Sequence, residues 1–157
     1  MRQPPEPTVV QTSAVRALTV GDFMTRELVT VEESDDLALA EKALQLGGIR
    51  HLPVVRGGKL VGLLTYRDVL RSAARRSSHA TTARDAMTSE PTWVRPGTSL
   101  VHAARIMLAR KYGCLPVCES DGTLVGIVTE SDFVRFAADM VQDLDLVAEA
   151  VGSSNRA

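Results

Sequence analysis

The segment His51-Leu52-Pro53-Val54-Val55, with Leu60-Val61-Gly62-Leu63-Leu64-Thr65-Tyr66-Arg67-Asp68 just after it, decides the architecture because the chain contains it twice. Its second appearance is Cys114-Leu115-Pro116-Val117-Cys118, then Leu124-Val125-Gly126-Ile127-Val128-Thr129-Glu130-Ser131-Asp132. A shift of 63 residues carries Leu52-Pro53-Val54 onto Leu115-Pro116-Val117, and a shift of 64 carries Leu60-Val61-Gly62 onto Leu124-Val125-Gly126. The extra residue falls between Glu119 and Thr123, in a Gly-containing turn where length is cheapest to change. Working outward, the 63-residue shift also maps Thr19, Asp22, Met24, Thr25 and Val31 onto Thr82, Asp85, Met87, Thr88 and Val94. It maps Leu37 and Ala40 onto Leu100 and Ala103. Order and spacing are kept throughout, so the chain is an internal duplication.

Each copy reads alike. A short lead-in, Val20 to Met24 or Ala83 to Met87, precedes a strand ending at Val31 or Val94. A helix follows. In the first copy Ser34 is expected to cap it, with Asp35 and Asp36 favouring its N-terminus. Leu37, Ala40 and Leu44 form its apolar stripe, matched by Leu100, Ala103 and Met107. Gly47-Gly48 and Tyr112-Gly113 follow the two helices. Next come two strands around Gly57-Gly58 or Asp121-Gly122, both hairpin signals. A final helix begins after Thr65 or Thr129, each a natural N-cap. The expected class is α+β, with the order strand, helix, strand, strand, helix in each copy. The divisions are an arm at 1–17, a first copy at 18–74, a linker at 75–81, a second copy at 82–136 and a helical extension with a tail at 137–157. The linker region is basic (Arg71, Arg75, Arg76, His79), and the extension carries an apolar stripe through Phe133, Phe136, Met140, Val141, Leu144 and Val147. That stripe is expected to pack on the domain or on a second subunit.

Composition removes several function classes. The 157 residues carry a formal net charge of −1, which gives no overall pull toward nucleic acid or an anionic membrane. Aromatic residues make up 4%, too few for base-stacking platforms. No apolar run approaches the ~18 residues of a membrane span, and the N-terminal residues lack the apolar stretch of a secretory signal. The expected compartment is the cytoplasm, with no nucleic-acid or membrane partner. Cys114 and Cys118 lie four apart in a strand, hence roughly 13 Å apart, too far for a disulfide. The three histidines, His51, His79 and His102, have no metal-type spacing, and neither a nucleophile elbow nor a phosphate-binding P-loop occurs. No catalytic residue, metal ligand or required cofactor is expected.

The doubled set of apolar-Pro-Val, Leu-Val-Gly and Thr-x-x-Asp motifs resembles a tandem pair of cystathionine-beta-synthase (CBS) domains, often called a Bateman module, over about residues 18–136. The resemblance implies two pseudo-symmetric repeats packed sheet to sheet with two clefts between them. It implies a regulatory ligand of the adenosine type, AMP, ADP, ATP or S-adenosylmethionine, a homodimer, and an unidentified regulated protein.

For such a ligand the chemistry is specific. An Asp carboxylate can accept hydrogen bonds from both ribose hydroxyls, and Thr65 with Asp68, and Thr129 with Asp132, share a helix end at the right spacing. The same pairs would also form ordinary helix caps, and the two roles are compatible. By resemblance, the adenine contacts are Val29, Thr30 and Ile49 in the first copy and Thr92, Trp93 and Tyr112 in the second. A phosphate needs cations or helix N-termini. Arg50 and His51 stand where the family often places basic phosphate contacts, and Arg67 and Arg71 are further candidates. The second copy has Gly113 and Cys114 in place of Arg50 and His51, so the two clefts should differ. The competing expectation is a protein-interaction module whose ligand sites have degenerated.

Overall fold

The structure is a computed structural model that describes residues 17–74 and 81–154, without the side chains of 73, 74 and 147–154. Most of the arm, the linker cations Arg75 and Arg76, His79 and the stripe residue Val147 lie outside that description.

The first copy comprises α1 (Val20–Phe23), β1 (Val31–Glu32), α2 (Leu37–Leu46), β2 (His51–Arg56), β3 (Lys59–Thr65) and α3 (Tyr66–Ala74). The second comprises α4 (Ala83–Ala86), β4 (Thr88–Ser89), α5 (Leu100–Arg110), β5 (Cys114–Cys118), β6 (Leu124–Thr129) and α6 (Glu130–Ser154). The fold is α+β, as expected. Gly57 and Gly58 both adopt positive φ, at 57° and 79°, which a two-residue hairpin between β2 and β3 demands. The cap of α2 differs from expectation. Asp36, not Ser34, accepts the Ala38 amide at 2.7 Å, because the Asp35 carboxylate turns back to the Glu32 amide and helix starts only at Leu37. At the end of α5, Lys111 takes the left-handed conformation (φ 57°) before Gly113 is reached.

Pseudo-symmetry is kept in the register. Val31 pairs in parallel with Val54, and Val94 pairs in parallel with Val117, 63 residues on in each case. One feature was not legible as a repeat: the lead-in segments are exchanged. Thr25 of the first copy bridges to Ile127 on β6, and Thr88 of the second pairs with Leu63 on β3. The exchange is anchored by Val20 N–H donating to Thr98 O at 2.8 Å and Ala83 N–H donating to Asp35 O at 2.8 Å. Each lead-in helix is fixed by a capping box, Thr19 with Asp22 and Thr82 with Asp85.

Two cores result. One joins Val20 and Met24 of the first copy to Val94, Ala103, Met107, Leu115, Val117 and Val128 of the second. The other joins Ala83, with partly buried Met87, to Val31, Ala40, Leu44, Leu52, Val54 and Leu64. Alternation along β2 and β5 turns Leu52, Val54, Leu115 and Val117 toward these helix-covered cores. The intervening residues Pro53, Val55, Pro116 and Cys118 are buried on the opposite face, where sheet meets sheet. The hairpin turns join there: Leu60 N–H donates to Gly122 O and Leu124 N–H to Gly58 O. No helix among the described residues is long and apolar enough to cross a membrane.

Candidate functional site

Two clefts of similar size flank the pseudo-two-fold axis. The larger, of about 360 Å³, draws Val29, Ile49, Arg50, His51 and Pro53 from the first copy and Ile127, Thr129, Ser131, Asp132 and Arg135 from the second. The other, of about 290 Å³, draws His51, Leu63 and Thr65 from the first copy and Glu90, Thr92, Lys111, Tyr112, Gly113 and Cys114 from the second. Each therefore faces the Thr at one copy's β-to-α junction with the apolar wall of the other copy. We call them cleft 1 and cleft 2.

The polar end of cleft 1 is built by the start of α6. The Thr129 amide and hydroxyl both donate to Asp132 Oδ2, at 2.7 and 2.8 Å. Arg135, one turn on, lies 3.8 Å from Oδ1. The copy-one arrangement is the same: Thr65 donates twice to Asp68 Oδ2, at 2.9 and 2.7 Å, and Arg71 lies 3.4 Å from Oδ1. The capping role is thus present in both copies. A carboxylate offers about four acceptor positions, so the caps leave Asp132 able to receive further hydroxyl donors from cleft 1. Opposite, Arg50 reaches across the copies, its Nη2 lying 3.4 Å from Ser131 Oγ. His51 is held below the usual histidine range, first by burial and then by the Arg50 charge, with Glu130 opposing. Burial raises Cys114 to about 12 and Cys118 to about 11, so both thiols stay protonated at neutral pH.

The sequence-chosen residues divide. Val29, Ile49, Arg50, His51, Thr129 and Asp132 meet in cleft 1, while Thr65, Thr92 and Tyr112 meet in cleft 2, where the Thr92 and Tyr112 hydroxyls are 3.4 Å apart. Asp68 does not line cleft 2, being turned toward Thr65 and Arg71. Thr30 faces a separate groove with Arg26 and Leu124, and Trp93 lines neither cleft. Arg67 and Arg71 also line neither; both are exposed, and Arg71 is turned to Asp68. Sequence reasoning missed Ser131, Arg135 and Glu90, whereas Lys111, which can be read from sequence as a cation approaching a phosphate or as an exposed side chain, lines cleft 2. Arg135 was findable, being the 64-residue image of Arg71. Glu90 was not, since its place follows from the exchange of lead-in segments. Among the described residues no cluster of side chains could hold a metal ion.

Paired α+β repeats with exchanged lead-in segments and one cleft on each side of their pseudo-axis define a tandem-repeat module. Comparison with known proteins places it: the CBS domain model matches residues 20–75 and 83–139, and the chain belongs to the CBS domain family. It is 36% identical over 110 residues to an inosine-5'-monophosphate dehydrogenase of Korarchaeum cryptofilum, matching 70% of this chain and 22% of that one. The chain spans between 22% and 47% of the length of the first curated relatives it matches. Among solved structures, it resembles CBSX2 of Arabidopsis thaliana in complex with AMP, with a TM-score of 0.72, 35% identity, and coverage of 78% of this chain and 97% of that one. It also resembles the CBS domain pair of protein MJ0100 in complex with 5'-methylthioadenosine and S-adenosyl-L-methionine (TM-score 0.72, 27% identity, coverage 80% and 99%).

Proposed function

We propose that this protein is a regulatory module that senses an adenosine-containing ligand in the clefts between its two CBS repeats. The observation that carries the reading is cleft 1, whose lining combines a ribose acceptor (Asp132, oriented by Thr129) with apolar Val29 and Ile49 and with the basic side chains of Arg50 and His51. Apolar faces suit adenine, the carboxylate suits adjacent hydroxyls, and the Arg50 guanidinium suits a phosphate. The AMP-bound and S-adenosylmethionine-bound relatives support this ligand class. The regulatory ligand is AMP, ADP, ATP or S-adenosylmethionine, and no catalytic role is assigned. Ligand binding would bias the packing of one repeat on the other, and an unidentified protein would read that change. The proposed setting is the cytoplasm, where free thiols such as Cys114 and Cys118 persist. A thermal-shift screen of the four ligands tests the reading: at least one should raise the melting temperature in a saturable, concentration-dependent way.

The proposed assembly is a homodimer. On α5, Val101, Arg105 and Leu108 are exposed along one face, and α5 carries no acidic residue. On α6, Val134, Val141 and Leu144 are exposed, and residues 136–155 contain acids but no Lys or Arg. Apposing α5 of one copy on α6 of a second would cover both apolar rows and pair their opposite charges. Leu144→Asp should shift the protein from dimer to monomer in sedimentation. An unchanged mass would contradict this assembly.

A further inference from the structure

Of the described residues, His51 alone lines both clefts. A strict pseudo-two-fold would supply two such residues. The image of His51 is Cys114, a buried thiol, and the image of Arg50 is Gly113. The missing side chain at Gly113 is what lets the imidazole in: a Cβ there would stand 2.9 Å from both Cε1 and Nε2 of His51. The ring is therefore braced against the backbone of the opposite repeat. The same backbone is tied to the start of α6, since Glu130 N–H donates to Gly113 O at 3.1 Å. Two residues later that helix carries Asp132, the carboxylate of cleft 1. One side chain, one glycine and one helix start thus connect the two cavities.

We infer that His51 couples the clefts, so that a ligand held in one alters the affinity of the other. The inference rests on the ligand-sensing reading above and deepens it. A neutral imidazole has one donor and one acceptor nitrogen. A ligand drawing on His51 from cleft 1 fixes which nitrogen carries the proton and how the ring lies on Gly113. The partner it presents to cleft 2 changes accordingly. Neither Arg50, which lines cleft 1 only, nor Lys111, which lines cleft 2 only, can do this. By reciprocity the effect of cleft 2 on cleft 1 is equal in size.

The test uses the full chain with AMP and S-adenosylmethionine as probes. Imidazole resonances are followed by NMR, and affinities by calorimetry. Asp132→Ala disables cleft 1, and Tyr112→Ala disables cleft 2. The expected result is that the His51 signal moves on titration in both variants. Each cleft's affinity in the unaltered chain should also differ by about fivefold or more from its value when the other is disabled. In His51→Ala, which removes a lining residue from both clefts, each affinity should fall, and its remaining value should no longer depend on whether the other cleft is disabled. Should that variant fail to fold, His51→Asn, which keeps a polar side chain of similar reach, serves instead. If the His51 signal answers to one cleft only, or the affinities are independent, the coupling is wrong while the sensing reading stands. If neither probe binds the unaltered chain, the sensing reading falls and the coupling falls with it.

Discussion

Met24 packs on the backbone of Gly126: a Cβ at position 126 would stand 2.9 Å from the Met24 Cγ and 3.1 Å from its Cβ. The image of this contact is Met87 on Gly62, where the corresponding distances are 2.8 and 3.1 Å. Each glycine of the Leu-Val-Gly motifs is thus the floor on which the other repeat's lead-in methionine lies. Neither has a positive φ, so the requirement is space, not backbone conformation.

Gly126→Ala should destabilise the protein by about 1–3 kcal/mol, the usual range for overpacking a core. Met24 is buried and has little room to move, whereas Met87 is only partly buried. Gly62→Ala should therefore cost less. Chemical denaturation of the two variants checks the order, and the double variant Met24→Ala/Gly126→Ala should cost less than the sum of its parts.

Met24→Ala alone should cost about 2–5 kcal/mol, because it opens a cavity among Leu115, Val117 and Val128. The same exchange implies that neither repeat holds a complete core by itself. Residues 1–77 and 78–157 produced as separate chains should each unfold readily and should gain a cooperative thermal transition when mixed.

Much of this was legible in sequence and some was not. The repeat, both hairpins and the Thr-x-x-Asp caps follow from local chemistry: glycines that need positive φ, apolar alternation, and side chains that satisfy helix-end amides. The partition of the clefts did not follow. Position 63 or 64 residues along identifies an image but not which copy supplies the facing wall, so Val29 meets Asp132 and Thr92 meets Thr65 only once the lead-ins cross. Arg67 and Arg71 fitted a cation-for-phosphate expectation by spacing alone. In the fold, helix phase leaves both on the solvent side of α3.

His51 gives a pH signature. Its folded pKa lies below the ordinary value, mainly because burial disfavours the cation. As pH falls through about 6.5 the unfolded chain takes up a proton that the folded chain resists. Stability should therefore decline from that point down to the lowered folded value, then level off as regards this group. Asp85 and Asp121, held low first by the Thr82 and Thr123 amides, act in a separate window: their contributions are present above about 3.9 and lost below it. Denaturation midpoints between pH 7 and 5 should slope less in His51→Asn than in the unaltered chain.

Cys114 and Cys118 should resist alkylation by iodoacetamide at pH 8, since both are buried and the thiolate is the reactive form. Mass spectrometry should find both modified only after the chain is unfolded.

The most direct test is calorimetric titration of AMP, ADP, ATP and S-adenosylmethionine into the full chain and into Asp132→Ala. At least one ligand should saturate the unaltered protein, and Asp132→Ala should weaken it by about tenfold or more, the loss expected for hydrogen bonds to a charged acceptor. The variant should keep its fold, losing about 0.5–2 kcal/mol from the missing cap. Absence of saturable binding by all four up to millimolar concentration, or full affinity retained in Asp132→Ala, would contradict the assignment of cleft 1.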